Sequence, residues 1–241
     1  NVMRGTIVKT PMKNLAFDLE AISRAITDRT RLIFICNPNN PTSTIVTEKE
    51  VAKFMATVPE HTLVVFDEAY FEFVDSPEFP DTLAYVRSGR RNVVVLRTFS
   101  KAYGIAGIRL GYGIGQPEIL APMRAAGESF PVNKLALVAG EAALQDKKFM
   151  KKTVATNLAG RQYLYREFDR LGLPHATSHT NFMLVKIGPH ARDVFQKLLE
   201  KGVIVRPCNG YDLPEYLRVT IGSKEQNERF IAALEDVLHR V

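Results

Sequence analysis

The sequence has few of the residues from which disulfide frameworks and metal sites are built. It contains two cysteines, Cys36 and Cys208, and five histidines, none of them paired at the spacing of metal ligands. Two isolated cysteines exclude a disulfide scaffold, and the histidine spacing excludes the usual zinc patterns. No apolar stretch approaches the length of a membrane span. We therefore expect a cytoplasmic protein with no metal, no membrane partner and no signal peptide.

The positive charge of the chain does not indicate a nucleic-acid partner. The formal net charge is +6, but the basic residues are spread along the sequence instead of forming one tract. The densest group consists of Lys147, Lys148, Lys151 and Lys152. Their helical spacing is typical of a solvated helix face, and no nucleic-acid-binding motif accompanies them.

Three continuous apolar runs predict buried parallel strands in the first half of the chain, at residues 32–36, 63–66 and 93–96. Continuous runs, as opposed to alternating ones, are typical of strands that are buried on both faces of a sheet. Thr47 and Glu50 predict a capping box at the start of a helix, and residues 81–87 predict a shorter helix. Alternation of strands and helices indicates a doubly wound α/β sheet.

The second half of the chain predicts a smaller α+β domain. The expected helices cover residues 133–144, 149–171 and 190–201, and the expected strands cover residues 181–187, 203–205 and 217–221. Gly202 is expected to end the third of these helices. Ser223 and Gln226 predict a capped final helix. We place the larger domain at residues 1–150 and the smaller one at residues 151–241.

Polar clusters follow each of the three apolar runs of the first half. They are Asn37-Pro38-Asn39-Asn40-Pro41-Thr42, Asp67-Glu68-Ala69-Tyr70 and Thr98-Phe99-Ser100-Lys101. In an open parallel sheet, ligands bind at the carboxyl ends of the strands. We therefore expect the three clusters to converge on one edge of the sheet and to form a site there.

Four motifs together resemble the fold-type I aminotransferases, which use pyridoxal 5'-phosphate (PLP). They are NPNNPT, DEAYFEF, RTFSKAYGIAGIRLGYGIG and YLRVTIGS, and their details are similar to the histidinol-phosphate aminotransferase branch. The resemblance runs over essentially the whole chain. It implies a large domain with a mostly parallel sheet, a smaller C-terminal α+β domain and a homodimer. It also implies a missing N-terminal segment, and the first residue is Asn1 instead of methionine.

The resemblance implies a role for each residue of the clusters. Lys101 would bind the cofactor covalently, since an amine is what an aldehyde needs, and would then shuttle a proton. Asp67 would pair with the pyridine nitrogen, and Tyr70 and Asn40 would contact the phenolic oxygen. The cofactor phosphate would be held by Thr98, Ser100 and Arg109.

Two further arginines resemble the substrate-binding residues of the family. Arg218 resembles the arginine that binds the substrate carboxylate, and Arg206 resembles a second anion-binding arginine of the histidinol-phosphate branch. One departure concerns the Asn-Pro loop, where relatives usually have glycine after Pro-Thr and this chain has Ser43. The departure affects the expected loop geometry, not the assignment of Asn40.

The leading interpretation is amino transfer between glutamate and a phosphorylated imidazole substrate, giving histidinol phosphate. An aromatic amino-acid aminotransferase shares nearly all of these residues. A PLP-dependent decarboxylase of a phosphorylated amino acid uses the same scaffold. The non-enzymatic alternative is an aminotransferase-like domain of a transcription regulator, which requires a DNA-binding segment upstream.

Overall fold

Two larger sheets and a short two-stranded hairpin organise the chain in the computed structural model, which describes residues 5–239. The outer ends of the two predicted domains, residues 1–4 and 240–241, lie outside the described residues. Each of the two larger sheets has its own hydrophobic core. The predicted α/β class, with a mixed and mostly parallel sheet, is confirmed.

A four-stranded sheet forms the first part of the molecule. A short hairpin of β1 (Met12–Lys13) and β2 (Ala16–Phe17) precedes it. The elements that follow are α1 (Leu19–Ala25), β3 (Leu32–Cys36), α2 (Glu48–Met55), β4 (Leu63–Asp67), α3 (Thr82–Arg87), β5 (Val93–Thr98) and β6 (Gly111–Gly115). The strand order is β3-β4-β5-β6. Strands β3, β4 and β5 are parallel, as predicted, and β6 is antiparallel to β5. The predicted capping box of Thr47 and Glu50 begins α2.

The prediction that all three runs are buried on both faces is wrong for β3. Leu32 and Phe34 are 54% and 60% exposed, whereas Ile33 and Ile35 are buried. Alternating residues of a strand point to opposite faces of the sheet. The inner face of β3 packs into the core with α1 and α2, and the outer face is not covered by any residue in the range 5–239.

A three-stranded antiparallel sheet and the longest helices form the second part. The elements are α4 (Pro117–Ala126), α5 (Lys134–Gln145), α6 (Lys147–Arg170), β7 (Phe182–Lys186), α7 (Ala191–Glu200), β8 (Arg206–Pro207), β9 (Tyr216–Thr220) and α8 (Lys224–Leu238). The strand order is β7-β9-β8. Gly202 follows α7 with φ +70°, and Ser223 and Gln226 form the predicted capping box of α8. The predicted domain boundary falls inside α6 and stays a prediction.

The strand predicted at residues 203–205 is wrong. Pairing with β9 involves only Arg206 and Pro207, which face Arg218 and Leu217. Ile204 is 81% exposed, while Val205 is buried in the core beneath the sheet. The apolar run therefore buries Val205 and packs the partly buried Val203 against the same core, and the hydrogen-bonded strand begins only at Arg206.

Neither a membrane helix nor a metal cluster is found in the part of the chain that the structure describes. No helix within residues 5–239 has both the length and the apolar character needed to cross a bilayer. Within the same residues, no group of three or more histidine, cysteine, aspartate or glutamate side chains could hold a metal ion.

Candidate active site

The carboxyl ends of β3, β4 and β5 meet at one edge of the first sheet. Cys36 lies opposite Asp67 in the β3–β4 ladder, and Asp67 lies opposite Leu96 in the β4–β5 ladder. The Asp67 carboxylate accepts a hydrogen bond of 3.1 Å from the amide of Ala69, which fixes the turn after β4. Burial, assisted by the charge of Asp67, raises the pKa of the Cys36 thiol to about 11. Burial therefore favours the protonated form of this thiol.

An aromatic pair connects the lysine of the first sheet with an arginine of the second. The ammonium of Lys101 lies 5.2 Å from the ring centroid of Tyr70. The Tyr70 ring meets Phe182 edge-on at 5.2 Å between centroids, and the guanidinium carbon of Arg218 lies 5.0 Å from the Phe182 centroid. Tyr70 and Phe182 are 6% and 3% exposed. The two parts of the molecule therefore contribute to one continuous cluster.

Asn40 and Arg218 close this cluster from the side of the Asn-Pro loop. Arg218 Nη1 donates a hydrogen bond of 2.5 Å to Asn40 Oδ1. Asn37 bonds with Val46 at both its side-chain oxygen and its side-chain nitrogen, while Asn39 donates to Thr42. Of the three asparagines in the loop, Asn40 is thus the one directed to the arginine.

Arg206 and Arg218 face each other across the β8–β9 ladder. Like charges directly opposite each other in an antiparallel pair are destabilising. An anion bound between the two guanidinium groups would remove this repulsion, because each fork can hold a carboxylate or a phosphate. The pair is therefore suited to an anionic substrate.

The predicted phosphate-binding residues are brought together only in part. The amide of Ser100 donates a bond of 3.0 Å to Thr98 Oγ1, and Thr98 Oγ1 lies 3.4 Å from the carbonyl of Leu110. Arg109 has a left-handed backbone with φ 62° and is exposed. Its guanidinium donates to the carbonyl of Ala106 at 2.6 Å. No hydrogen bond joins Arg109 to Thr98 or Ser100 within the described residues.

The Asn-Pro loop contains a conformation that favours glycine. Ser43 is fully buried and has φ 64°, a left-handed value that costs a non-glycine residue energy. Its hydroxyl donates to the carbonyl of Thr42 at 2.5 Å, and its own carbonyl accepts a bond of 2.9 Å from the amide of His179. Ser43 therefore occupies a backbone conformation that glycine would adopt without strain.

A buried ion pair that the sequence analysis did not identify lies directly behind Asp67. Glu68 is 1% exposed and accepts two hydrogen bonds, of 2.9 and 2.8 Å, from Arg97. Thr82 donates a further bond to the same carboxylate, and the Arg97 guanidinium lies 3.6 Å from the ring centroid of Phe71. Burial raises the pKa of Glu68 despite these partners. The only sequence signal was a charged residue next to Asp67.

A second unidentified cluster joins the long helix to both parts of the molecule. Arg161 of α6 is 2% exposed; it donates to the carbonyl of Ser178 at 2.5 Å and forms an ion pair with Asp75. His179 lies 3.5 Å from the other Asp75 oxygen, and burial lowers its pKa. Since the His179 amide bonds to Ser43, this cluster supports the loop that carries Asn40.

A cleft of about 380 Å³ opens next to Lys101. The start of α6 contributes Phe149, Lys152 and Asn157 to its wall, and the turn before α8 contributes Gly222 and Ser223. Phe149 also contacts Gly104, three residues after Lys101, where an added Cβ would lie 3.4 Å from the ring. The cleft is therefore bounded by both parts of the molecule.

Comparison with known proteins identifies the family. The family described as aminotransferase class I and II matches residues 1–234. The histidinol-phosphate aminotransferase of Moorella thermoacetica is 49% identical over 237 residues, which cover 98% of this chain and 61% of that protein. The chain thus spans about three fifths of the length of this curated relative.

Two solved structures illustrate the range of similar proteins. The histidinol-phosphate aminotransferase of Sinorhizobium meliloti, solved in complex with PLP, has a TM-score of 0.90 at 29% identity and matches 98% of this chain and 65% of that one. The L-threonine-O-3-phosphate decarboxylase of Porphyromonas gingivalis has a TM-score of 0.74 at 27% identity, with 90% and 67% covered. The chain therefore belongs to the class I and II aminotransferases, a PLP-dependent family.

Proposed function

We propose that the protein of which this chain is a part is a PLP-dependent aminotransferase that forms histidinol phosphate, with glutamate as the amino donor. The observation that carries the proposal is the continuous cluster of Lys101, Tyr70, Phe182, Arg218 and Asn40 at the end of the first sheet. It combines an amine for the cofactor with a guanidinium for a substrate anion. The identity to histidinol-phosphate aminotransferases supports the substrate.

The chemistry of the donor groups fits PLP. Within the described residues the Asp67 carboxylate accepts one hydrogen bond, from the amide of Ala69 to Oδ1, so the other carboxylate oxygen remains for the pyridine nitrogen. Tyr70 and Asn40 carry groups that suit the phenolic oxygen. Hydroxyls of Thr98 and Ser100 and the guanidinium of Arg109 suit the phosphate. Arg109 would have to leave the Ala106 carbonyl to reach it.

When bound, PLP supplies an aldehyde for amino groups and a ring that accepts electrons. The work of the protein is then to hold groups and to move protons. Lys101 Nζ would carry a proton to and from the substrate carbon, as a general acid and base. The Asp67 carboxylate would hold a proton on the ring nitrogen by charge attraction. Arg218 and Arg206 would orient the substrate through its anionic group.

A labelling experiment and two variants of the full-length protein test this assignment. Borohydride reduction of the PLP-loaded protein, followed by peptide mapping, should place the pyridoxyl label on Lys101. A label on another lysine would refute the role of Lys101. Arg218→Ala should reduce kcat/KM for both glutamate and histidinol phosphate, and Arg206→Ala should affect histidinol phosphate more than glutamate. An unchanged kcat/KM for histidinol phosphate in Arg206→Ala would favour an aromatic amino-acid substrate.

The structural similarity to a phosphothreonine decarboxylase makes decarboxylation the second candidate. Glutamate-dependent turnover without release of CO₂ would support amino transfer, and the reverse would support decarboxylation. Duplex DNA binding without turnover would support the regulator alternative. A homodimer and a cytoplasmic location are part of the proposal; the mass of the full-length protein in solution tests the first and cell fractionation tests the second.

A further inference from the structure

Arg161 of α6 reaches loops on two sides of the candidate site. It is 2% exposed, donates a bond of 2.5 Å to the carbonyl of Ser178 and forms an ion pair with Asp75. Asp75 belongs to the segment that follows Tyr70, and Ser178 belongs to the turn before β7. One buried side chain therefore connects the backbone of the second part of the molecule with a charged group of the first.

The bond to Ser178 leads to the aromatic ring that contacts Arg218. Ser178 Oγ donates to the carbonyl of Phe182 at 2.5 Å, and Thr180 Oγ1 donates to the same carbonyl at 2.9 Å. Both lone pairs of this carbonyl are therefore used. The Phe182 ring in turn lies 5.0 Å from the guanidinium carbon of Arg218. The turn that Arg161 holds thus fixes the backbone from which this ring projects.

The ion pair with Asp75 leads to the amide that contacts Arg218. The second oxygen of Asp75 lies 3.5 Å from His179 Nδ1, and the His179 amide donates to the Ser43 carbonyl at 2.9 Å. Ser43 lies in the same Asn-Pro loop as Asn40, whose Oδ1 accepts the bond of 2.5 Å from Arg218. Two groups that contact the Arg218 guanidinium are therefore connected to one buried ion pair.

Stability alone does not account for a buried arginine at this position. The Nε of Arg161 is buried and has no hydrogen-bond partner among residues 5–239, which is unfavourable. Replacing a buried ion pair by apolar side chains of similar volume is often neutral or stabilising. Hydrogen bonds, by contrast, set the distances between the groups that they join, and an apolar side chain does not. The arginine is therefore better suited to fixing the geometry of two loops than to adding stability.

We propose that Arg161 is a positioning residue for substrate recognition, which holds the Arg218 guanidinium in place for the substrate anion through the turn before β7 and through the Asn-Pro loop. The proposal rests on the proposed aminotransferase function, in which Arg218 binds that anion. Arg161 makes no hydrogen bond with Arg218 or Asn40 within the described residues, so its effect passes through the two loops. A binding group that is held in advance loses less freedom when the ligand binds.

A double-variant cycle in the full-length PLP-loaded protein separates positioning from a general loss of stability. Arg161→Met should lower kcat/KM for glutamate by roughly ten- to a hundredfold, because a displacement of about 1 Å can cost about a hundredfold. In an Arg218→Ala background the same change should cost about twofold at most, since the guanidinium to be positioned is absent. Arg170→Met is the matched control on the same helix. Arg170 is the last residue of α6 and pairs with Glu167 and Glu235, so its loss should have the same small effect in both backgrounds.

Binding of glutarate, a dicarboxylate without an amino group, gives a readout without turnover. Its Kd for the PLP-loaded protein, measured by calorimetry, should rise roughly tenfold in Arg161→Met and stay unchanged in Arg170→Met. Asp75→Asn is the second variant, because Asp75 is half-exposed and its amide keeps the shape of the carboxylate. Loss of this charge should raise the Kd by about two- to fivefold, the range for a partly exposed ion pair. This variant decides the question if Arg161→Met does not fold.

The outcomes distinguish the positioning role from the proposed function. Equal losses from Arg161→Met in the two backgrounds, or an unchanged Kd for glutarate in Asp75→Asn, would overturn the positioning role and leave the aminotransferase intact. If the wild-type protein turns over neither glutamate nor histidinol phosphate, the proposed function fails, and the Kd for glutarate then decides alone. A Kd that depends on Asp75 but not on Arg170 supports the positioning role. No such dependence, or no binding of glutarate by the wild type, refutes it.

Discussion

The buried pair of Glu68 and Arg97 gives a quantitative test of how the structure supports Asp67. Arg97→Met removes the cation and leaves a carboxylate that is 1% exposed with only the Thr82 hydroxyl as a partner. Breaking a buried pair in this way costs about 3–5 kcal/mol of unfolding free energy. Glu68→Gln keeps the shape and leaves the cation on Arg97, whose side chain is 13% exposed and stacked on Phe71. That change should cost about 1–3 kcal/mol.

The decrease in unfolding free energy caused by Arg97→Met should depend on pH, because the pKa of Glu68 is raised. A carboxyl whose pKa is raised in the folded state stabilises the fold at low pH. This contribution to the unfolding free energy is lost as the pH rises through the folded-state pKa. Without the Arg97 charge the pKa rises further, so the variant loses stability over a wider range of pH. The loss relative to wild type should therefore be larger at pH 8 than at pH 5.5.

Urea unfolding of the full-length protein at both pH values, with the double variant to complete the cycle, measures these quantities. The reasoning would be refuted if Arg97→Met cost no more than Glu68→Gln, or if its cost were the same at both pH values. Thr57→Ser is a suitable control variant, because Thr57 lies at the end of α2 and bonds to Phe54, away from the pair.

Three further predictions concern stability and use urea unfolding of the full-length protein. Ser43→Gly should raise the unfolding free energy by about 0.5–1 kcal/mol by relieving the left-handed backbone, whereas Ser43→Ala, which keeps the strain, should lower it; the opposite order would contradict this. Gly160→Ala should cost about 1–3 kcal/mol, since its Cβ would lie 2.7 Å from Ile221 Cγ2, and Gly210→Ala, with open space around it, is the control; equal effects would refute the packing argument. Burial lowers the pKa of His179. As the pH falls below the pKa of free histidine, the unfolding free energy of wild type should therefore decrease more than that of His179→Gln. Parallel curves of unfolding free energy against pH would contradict this prediction.

The sequence predicted the strands and helices whose signals are local. Continuous apolar runs identified β3, β4 and β5, and the residue types at Thr47 and Ser223 identified two helix starts, because capping depends on neighbours within one turn. Strand β6 was not predicted, since its sequence is GYGIG and it forms only through pairing with β5. Pairing partners, not propensity, decide such strands.

The sequence suggests candidate site residues, which stay a prediction, but not the contacts between them. The proximity of Lys101 and Tyr70 follows from parallel strands that end at one edge. The contact of Arg218 with Asn40, by contrast, joins positions that no local pattern relates. Phe182, Glu68 and Arg161 were missed for the same reason, because their partners come from distant elements. Only the packed structure reveals these long-range pairs.

The separation of 178 residues between Asn40 and Arg218 has a consequence for the order of folding. Contacts between distant positions form late, because closing a long loop costs chain entropy before the contact is gained. The residues proposed to hold the cofactor lie mainly in the first sheet, whose contacts are more local. During refolding of the full-length protein, PLP binding should therefore recover before sensitivity to substrate does, and simultaneous recovery in a stopped-flow experiment would contradict this. The cofactor half of the site can then mature before the chain is able to recognise its substrate.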